Sequence, residues 1–125
     1  MNLVDSCGWL EYFADGPNAR FFAPQVEDTA RLIVPTICVY EVFRRLLQQV
    51  DRSAALEAIA VMQQGRVVPL TSALAIDAAT IGQEMKLPMA DSVILATARD
   101  KNALVWTQDA DFQFISGVRY VSRKG

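Results

Sequence analysis

The chain is 125 residues long, enough for one domain with a sizeable core, and its 52% hydrophobic and 21% charged residues are those of an ordinary globular protein. It has no histidine and only two cysteines, Cys7 and Cys38, which excludes histidine-based nucleophile systems as usually built, His-ligated zinc and a disulfide scaffold. The net charge of −2 carries no whole-chain signal for nucleic acid, although it becomes +2 once four acids are set aside as a single cluster.

In chain order, "MNLVD" predicts a short buried strand closed by the polar pair Asp5-Ser6. Ser6 is expected to cap a helix through "CGWLEYF", which the turn signal "DGPN" ends. "ARFFAPQVEDTA" predicts a helix in which Pro24 marks a kink or the first turn, and "RLIVP" a second strand. Thr36 is expected to cap "ICVYEVFRRLLQQV", whose apolar residues recur at helical spacing. A further helix fits "SAALEAIAVMQQ" up to Gly65, followed by the strand "RVVPL". Thr71 or Ser72 opens the helix "ALAIDAATIGQEMK", and a last helix with "ADSVILATARDK" follows Pro88. "ALVWT" then predicts a buried strand, "QDADFQF" a turn or short helix, and "VRYVS" a strand at the sheet edge. Strands alternating with helices imply an α/β fold: a small, mostly parallel sheet between two helical layers, as one domain over residues 1–125. No apolar run approaches the ~18 residues of a membrane span. The first residues also lack a basic n-region, so a reduced cytoplasmic setting is the expectation.

Four acids stand out against apolar sequence. Asp5 follows the first strand and Asp109 follows "ALVWT", so in a parallel sheet both would sit on the edge where ligands gather. Glu41 lies in the helix after the second strand, and Asp91 in the first turn of the last helix. Each has an ordinary explanation taken alone: a cap or turn for Asp5 and Asp109, a solvated pair with Arg44 or Arg45 for Glu41, and a dipole-matched position for Asp91. Together they form a histidine-free carboxylate set, the donor type that hard divalent cations prefer.

The ordered set "LVDSCGWLEYF", "VPTICVYEVFRRL", "LPMADSVILATAR" and "ALVWTQDADF" resembles a PIN-domain ribonuclease, and more narrowly a VapC-type toxin of a toxin–antitoxin pair, over essentially the whole chain. The resemblance implies the three-layer α/β/α PIN-like fold and a metal-dependent endoribonuclease that hydrolyses RNA phosphodiester bonds. It makes Asp5, Glu41, Asp91 and Asp109 the acidic quartet for Mg²⁺ or Mn²⁺. Thr107 matches the hydroxyl residue that helps hold the last carboxylate or a bound water. Asp111 and Ser6 are expected in supporting positions, and Arg44, Arg45 and Arg99 as cations for the RNA backbone. Lys101, Arg119, Arg123 and Lys124 are further candidates. Trp106 and the pair Cys7-Gly8 depart from the family's usual residues at positions that concern packing.

The resemblance also implies a homodimer and a small antitoxin that inserts a basic or polar side chain into the acidic pocket. The segments "GWLEYF" and "RFFAPQV" could line an apolar groove for an antitoxin helix, or be core. Other readings are a receiver-like phospho-acceptor domain and a catalytically silent PIN-fold interaction module. A receiver would need an acid pair after the first strand and an aspartate after the third, and "VVPLTSA" has none. A flap-endonuclease-like DNA nuclease would need helical additions that do not fit in this length.

Overall fold

The computed structural model describes residues 1–124, and its elements alternate along the chain. Strand β1 (Asn2–Val4) leads into helix α1 (Ser6–Phe13) and α2 (Ala19–Glu27). After a 3-10 turn come β2 (Leu32–Pro35), α3 (Thr36–Gln49) and α4 (Arg52–Met62). Then β3 (Arg66–Val68) is followed by the helical hairpin of α5 (Ser72–Met85) and α6 (Met89–Asp100). Strand β4 (Leu104–Thr107), a 3-10 turn at Ala110–Phe112 and β5 (Val118–Tyr120) complete the described chain. The five strands form one sheet in the order β3-β2-β1-β4-β5, with every pairing parallel. The expected three-layer α/β/α architecture is therefore present, and the sheet is parallel throughout.

The chain walks outward from β1 to β3, then returns to β4 on the other side of β1. That reversal makes the cleft beyond β1 and β4 the place where an open parallel sheet accepts ligands. The order differs from the 2-1-3-4-5 arrangement of receiver-like folds, which removes the signalling reading as a fold expectation. The three inner strands β1, β2 and β4 are short and largely buried, as apolar runs in a parallel sheet should be, whereas the edge strands β3 and β5 are mostly open to solvent. Leu3, Val4, Ile33, Val34 and Val105 are almost wholly shielded, with Trp9, Phe22 and Phe112 packed over them.

Several local expectations are corrected. Asp5, not Ser6, caps α1: its Oδ1 accepts a hydrogen bond from the Gly8 amide at 3.0 Å. Thr36 is the first residue of α3 and not its cap; its hydroxyl instead accepts from the Leu70 amide at 3.3 Å. Asp51 caps α4 through the Ala54 amide, and Thr71 caps α5 through the Leu74 amide. Pro24 sits inside α2, beyond its first turn. Of the two alternatives for "GWLEYF" and "RFFAPQV", Trp9 and Phe22 follow the core one and are fully buried. Leu10 and Phe13 of the first segment line an apolar groove between α1, α3 and α4, facing Leu46, Val50 and Val61. Among the described residues no helix is long and apolar enough to cross a membrane.

Candidate active site

Four segments reach one cleft of about 860 Å³ at the carboxyl edge of the sheet, bringing Asp5, Glu41, Asp91 and Asp109 to its walls. Asp5 is delivered by the end of β1 and Asp109 by the end of the adjacent β4, strands paired residue for residue from Asn2 with Leu104 to Val4 with Trp106. Asp91 enters in the first turn of α6, and Glu41 from the second turn of α3.

Asp5 is held from behind. Besides the Gly8 amide, the Thr107 hydroxyl donates to its Oδ2 at 2.5 Å, and the Cys7 thiol lies 3.0 and 3.2 Å from its two oxygens. Burial is nonetheless the larger influence and pushes Asp5 up to about 6, while these hydrogen bonds pull the other way. The Thr107 hydroxyl also accepts from the Asp109 backbone amide at 2.9 Å. It thus ties the ends of β1 and β4 together and secures the carboxylate of Asp5, where the expectation was that of Asp109. Burial, reinforced by Asp5, keeps the Cys7 thiol protonated and a donor.

The tightest group of acids is Asp91, Asp109 and Asp111, each with a carboxylate oxygen within 4.8 Å of the others. Asp111, expected in support, stands in this group because the 3-10 turn after Asp109 folds it back; its amide donates to Asp109 Oδ1 at 2.9 Å. Asp91 is pushed up to about 8, first by burial, then by the charge of Asp109, with Asp111 and Asp5 adding to it. Asp5 and Glu41 flank this group and do not share its close spacing. A set of hard oxygen donors, with one member driven toward protonation by burial and then by its acidic neighbours, fits a divalent cation as the counter-charge.

Glu41 does not pair with the arginines one turn along its helix. Its Oε1 accepts from the Ser6 hydroxyl at 2.6 Å, so Ser6 anchors Glu41 rather than capping α1. Among the described residues the only ion pairs are Arg31 with Asp28 and Lys101 with Asp100. Arg44 and Arg45 line the cleft without a carboxylate partner, and Arg123 lies on its wall as well. Arg99 does not line the cleft: eight residues beyond Asp91 on α6, it is about 12 Å further along the axis. Arg119 and Lys124 are exposed and also outside it.

The sequence reading missed Cys7 as a donor to Asp5, and the further α3 residues Tyr40, Gln48 and Gln49 on the cleft wall. Their signal was available, since positions four and eight beyond Tyr40 and Glu41 continue one helical stripe.

A family model described as "PIN domain" matches residues 3–117. No curated protein matches the sequence. Among solved structures, a toxin–antitoxin complex from Klebsiella pneumoniae is 20% identical with a TM-score of 0.80, covering 95% of this chain and 96% of that one. VapC20 of Mycobacterium tuberculosis, described as a sarcin-ricin-loop-cleaving toxin, is 18% identical with a TM-score of 0.76, over 93% and 95% of the two chains. A DNA-bound VapBC from Salmonella typhimurium is 17% identical with a TM-score of 0.74, over 98% of each chain. At these identities the likeness concerns the fold.

Proposed function

The chain belongs to the PIN-domain family, and from that premise we propose that it is a metal-dependent endoribonuclease acting as the toxin of a toxin–antitoxin pair. The observation that carries this reading is the convergence of Asp5, Glu41, Asp91 and Asp109 from four segments on one cleft, with Asp111 beside them. Asp91, Asp109 and Asp111 would hold Mg²⁺ or Mn²⁺, with Asp5 fixed behind them and Glu41 at the side. A divalent cation bound there would acidify a water, orient the phosphate and screen its charge. Glu41, steadied by Ser6, orients the attacking water, and Arg44 and Arg45 draw the phosphate backbone into the cleft. The water oxygen forms a bond to phosphorus, the bond to the 3′-oxygen breaks, and that oxygen takes a proton. The products carry a 5′-phosphate and a 3′-hydroxyl.

The same reading includes a cognate antitoxin in a cytoplasmic setting and assembly as a homodimer, which light scattering would test. The groove of about 410 Å³ between α1, α3 and α4 supports docking of an apolar helix face, which would bring the antitoxin's following segment toward the acidic cleft.

Purified protein with Mn²⁺ or Mg²⁺ should cleave total RNA, EDTA should stop the reaction, and Asp91→Asn should abolish it with an unchanged circular dichroism spectrum. Undiminished cleavage by Asp91→Asn or by Asp5→Asn would refute the site.

A further inference from the structure

The cleft is far larger than a dication and a water require, and falls in the size range of ligand pockets. Its excess lies along α3. Beyond Glu41, the helix presents Tyr40, Arg44, Arg45, Gln48 and Gln49 to the cleft, at steps of four residues and their neighbours. Tyr40 and Gln48 are about 12 Å apart along the axis. Past Glu41 the α3 wall carries no acid; Glu11 of α1 lines the same cleft, with its Oε2 accepting from the Asn18 amide at 2.7 Å.

Three observations separate this stripe from an ordinary solvated helix face. First, Glu41 has the right spacing to neutralise Arg44 or Arg45, but Ser6 has claimed it, which leaves both guanidinium groups in the cleft without a carboxylate. Second, Arg44 donates to the Tyr40 hydroxyl at 3.3 Å, which holds the cation and the ring together as one surface. Third, Tyr40 is 56% exposed on a cleft wall instead of contributing to the core below it.

We propose that Tyr40, Arg44 and Gln48, with Arg45 and Gln49 beside them, form a subsite for one unpaired RNA nucleotide flanking the scissile phosphate. The base stacks on the Tyr40 ring, Arg44 and Arg45 each take one of the two phosphates on either side of it, and the amides of Gln48 and Gln49 offer both donors and acceptors to the base edge. A duplex cannot present a base this way, so the subsite selects single-stranded segments. This inference rests on the ribonuclease reading and adds the part of the substrate that α3 recognises.

The test uses an end-labelled, single-stranded RNA of random sequence, with binding read by fluorescence anisotropy in the cleavage-deficient Asp91→Asn background. Tyr40→Ala should weaken the Kd about tenfold or more, Tyr40→Leu should do the same, and Tyr40→Phe should stay near the parent. In otherwise wild-type protein, Tyr40→Ala should raise KM and flatten the preference for the base beside the cut, read by sequencing the product ends. Matched urea melts check that the exposed substitutions leave the fold intact. If wild type cleaves RNA while Tyr40→Ala binds and selects as the parent does, the subsite is overturned and the ribonuclease reading stands. If wild type neither binds nor cleaves RNA, both fall.

Discussion

At the scale of single residues, the site is built by forcing acids together and withholding cations from them. Asp91 is pushed up to about 8 and Asp5 to about 6, both chiefly by burial. An acid whose pKa is higher in the folded chain than in the unfolded one stabilises the fold while both forms are protonated, and that contribution is lost as pH rises toward the folded value. Metal-free protein should therefore melt at a lower temperature at pH 8 than at pH 5. Added Mn²⁺ should narrow the gap, and should bind more tightly as pH rises because the Asp91 proton has to leave. A melting temperature that does not fall across this range in EDTA would contradict the clustering. Thr107 makes a second test. Replacing it by Val removes the donor to Asp5 and the acceptor for the Asp109 amide, with an expected cost of about 1–3 kcal/mol in urea unfolding. That Asp5, Asp91 and Asp109 meet at one cleft was legible because strand ends and a helix first turn are positions with known geometry, whereas Glu41, in the second turn of α3, was singled out only with the ordered pattern of all four. Asp111 was expected only in a supporting position and Cys7 only in packing, because the close spacing of the one depends on a 3-10 turn and the hydrogen bonds of the other on the direction of a side chain beside the cap.

At the scale of elements, helix α1 must lie close on the sheet for Asp5 to cap it and remain at the edge of the cleft. Gly8 permits this: a Cβ there would come within 2.7 Å of both Val4 Cγ1 and Phe22 Cε1. Gly8 therefore has a packing reason, while its neighbour Cys7 serves as a donor to Asp5. Helix propensity favours Gly8→Ala, but overpacking opposes it and should win, destabilising the protein by about 1–3 kcal/mol and lowering cleavage through displaced Asp5. A variant as stable as the parent would show that α1 can move outward freely. The elements themselves were readable, since strands appear as short apolar runs and helices as longer periodic ones with polar openings. Which residue caps each helix was harder, because Asp5 and Ser6, or Pro35 and Thr36, are adjacent candidates and the turn geometry chooses between them.

At the scale of the whole molecule, the sheet order does what no local pattern could announce. Residues 2–5 and 104–109 become neighbours only because the chain reverses direction across β1, and α3 and α6 then close the cleft from separate crossovers. Charge is distributed with the same economy. The chain carries 12 basic and 14 acidic residues, so a polyanion finds no overall attraction and depends on the few unpaired arginines lining the cleft. Single-stranded nucleic acid shows a salt slope of about −0.7 for each phosphate neutralised. Two contacts, at Arg44 and Arg45, predict a slope of roughly −1.4 for log K against log salt, and a third at Arg123 would bring it to roughly −2.1. Arg45→Ala should make the slope shallower by about 0.7, whereas Arg99→Ala, outside the cleft, should leave it unchanged. Anisotropy titrations of the Asp91→Asn protein from about 50 to 200 mM salt read this directly. A slope several times steeper would mean that RNA spreads over a basic surface elsewhere, and the cleft would then hold the scissile phosphate without governing affinity.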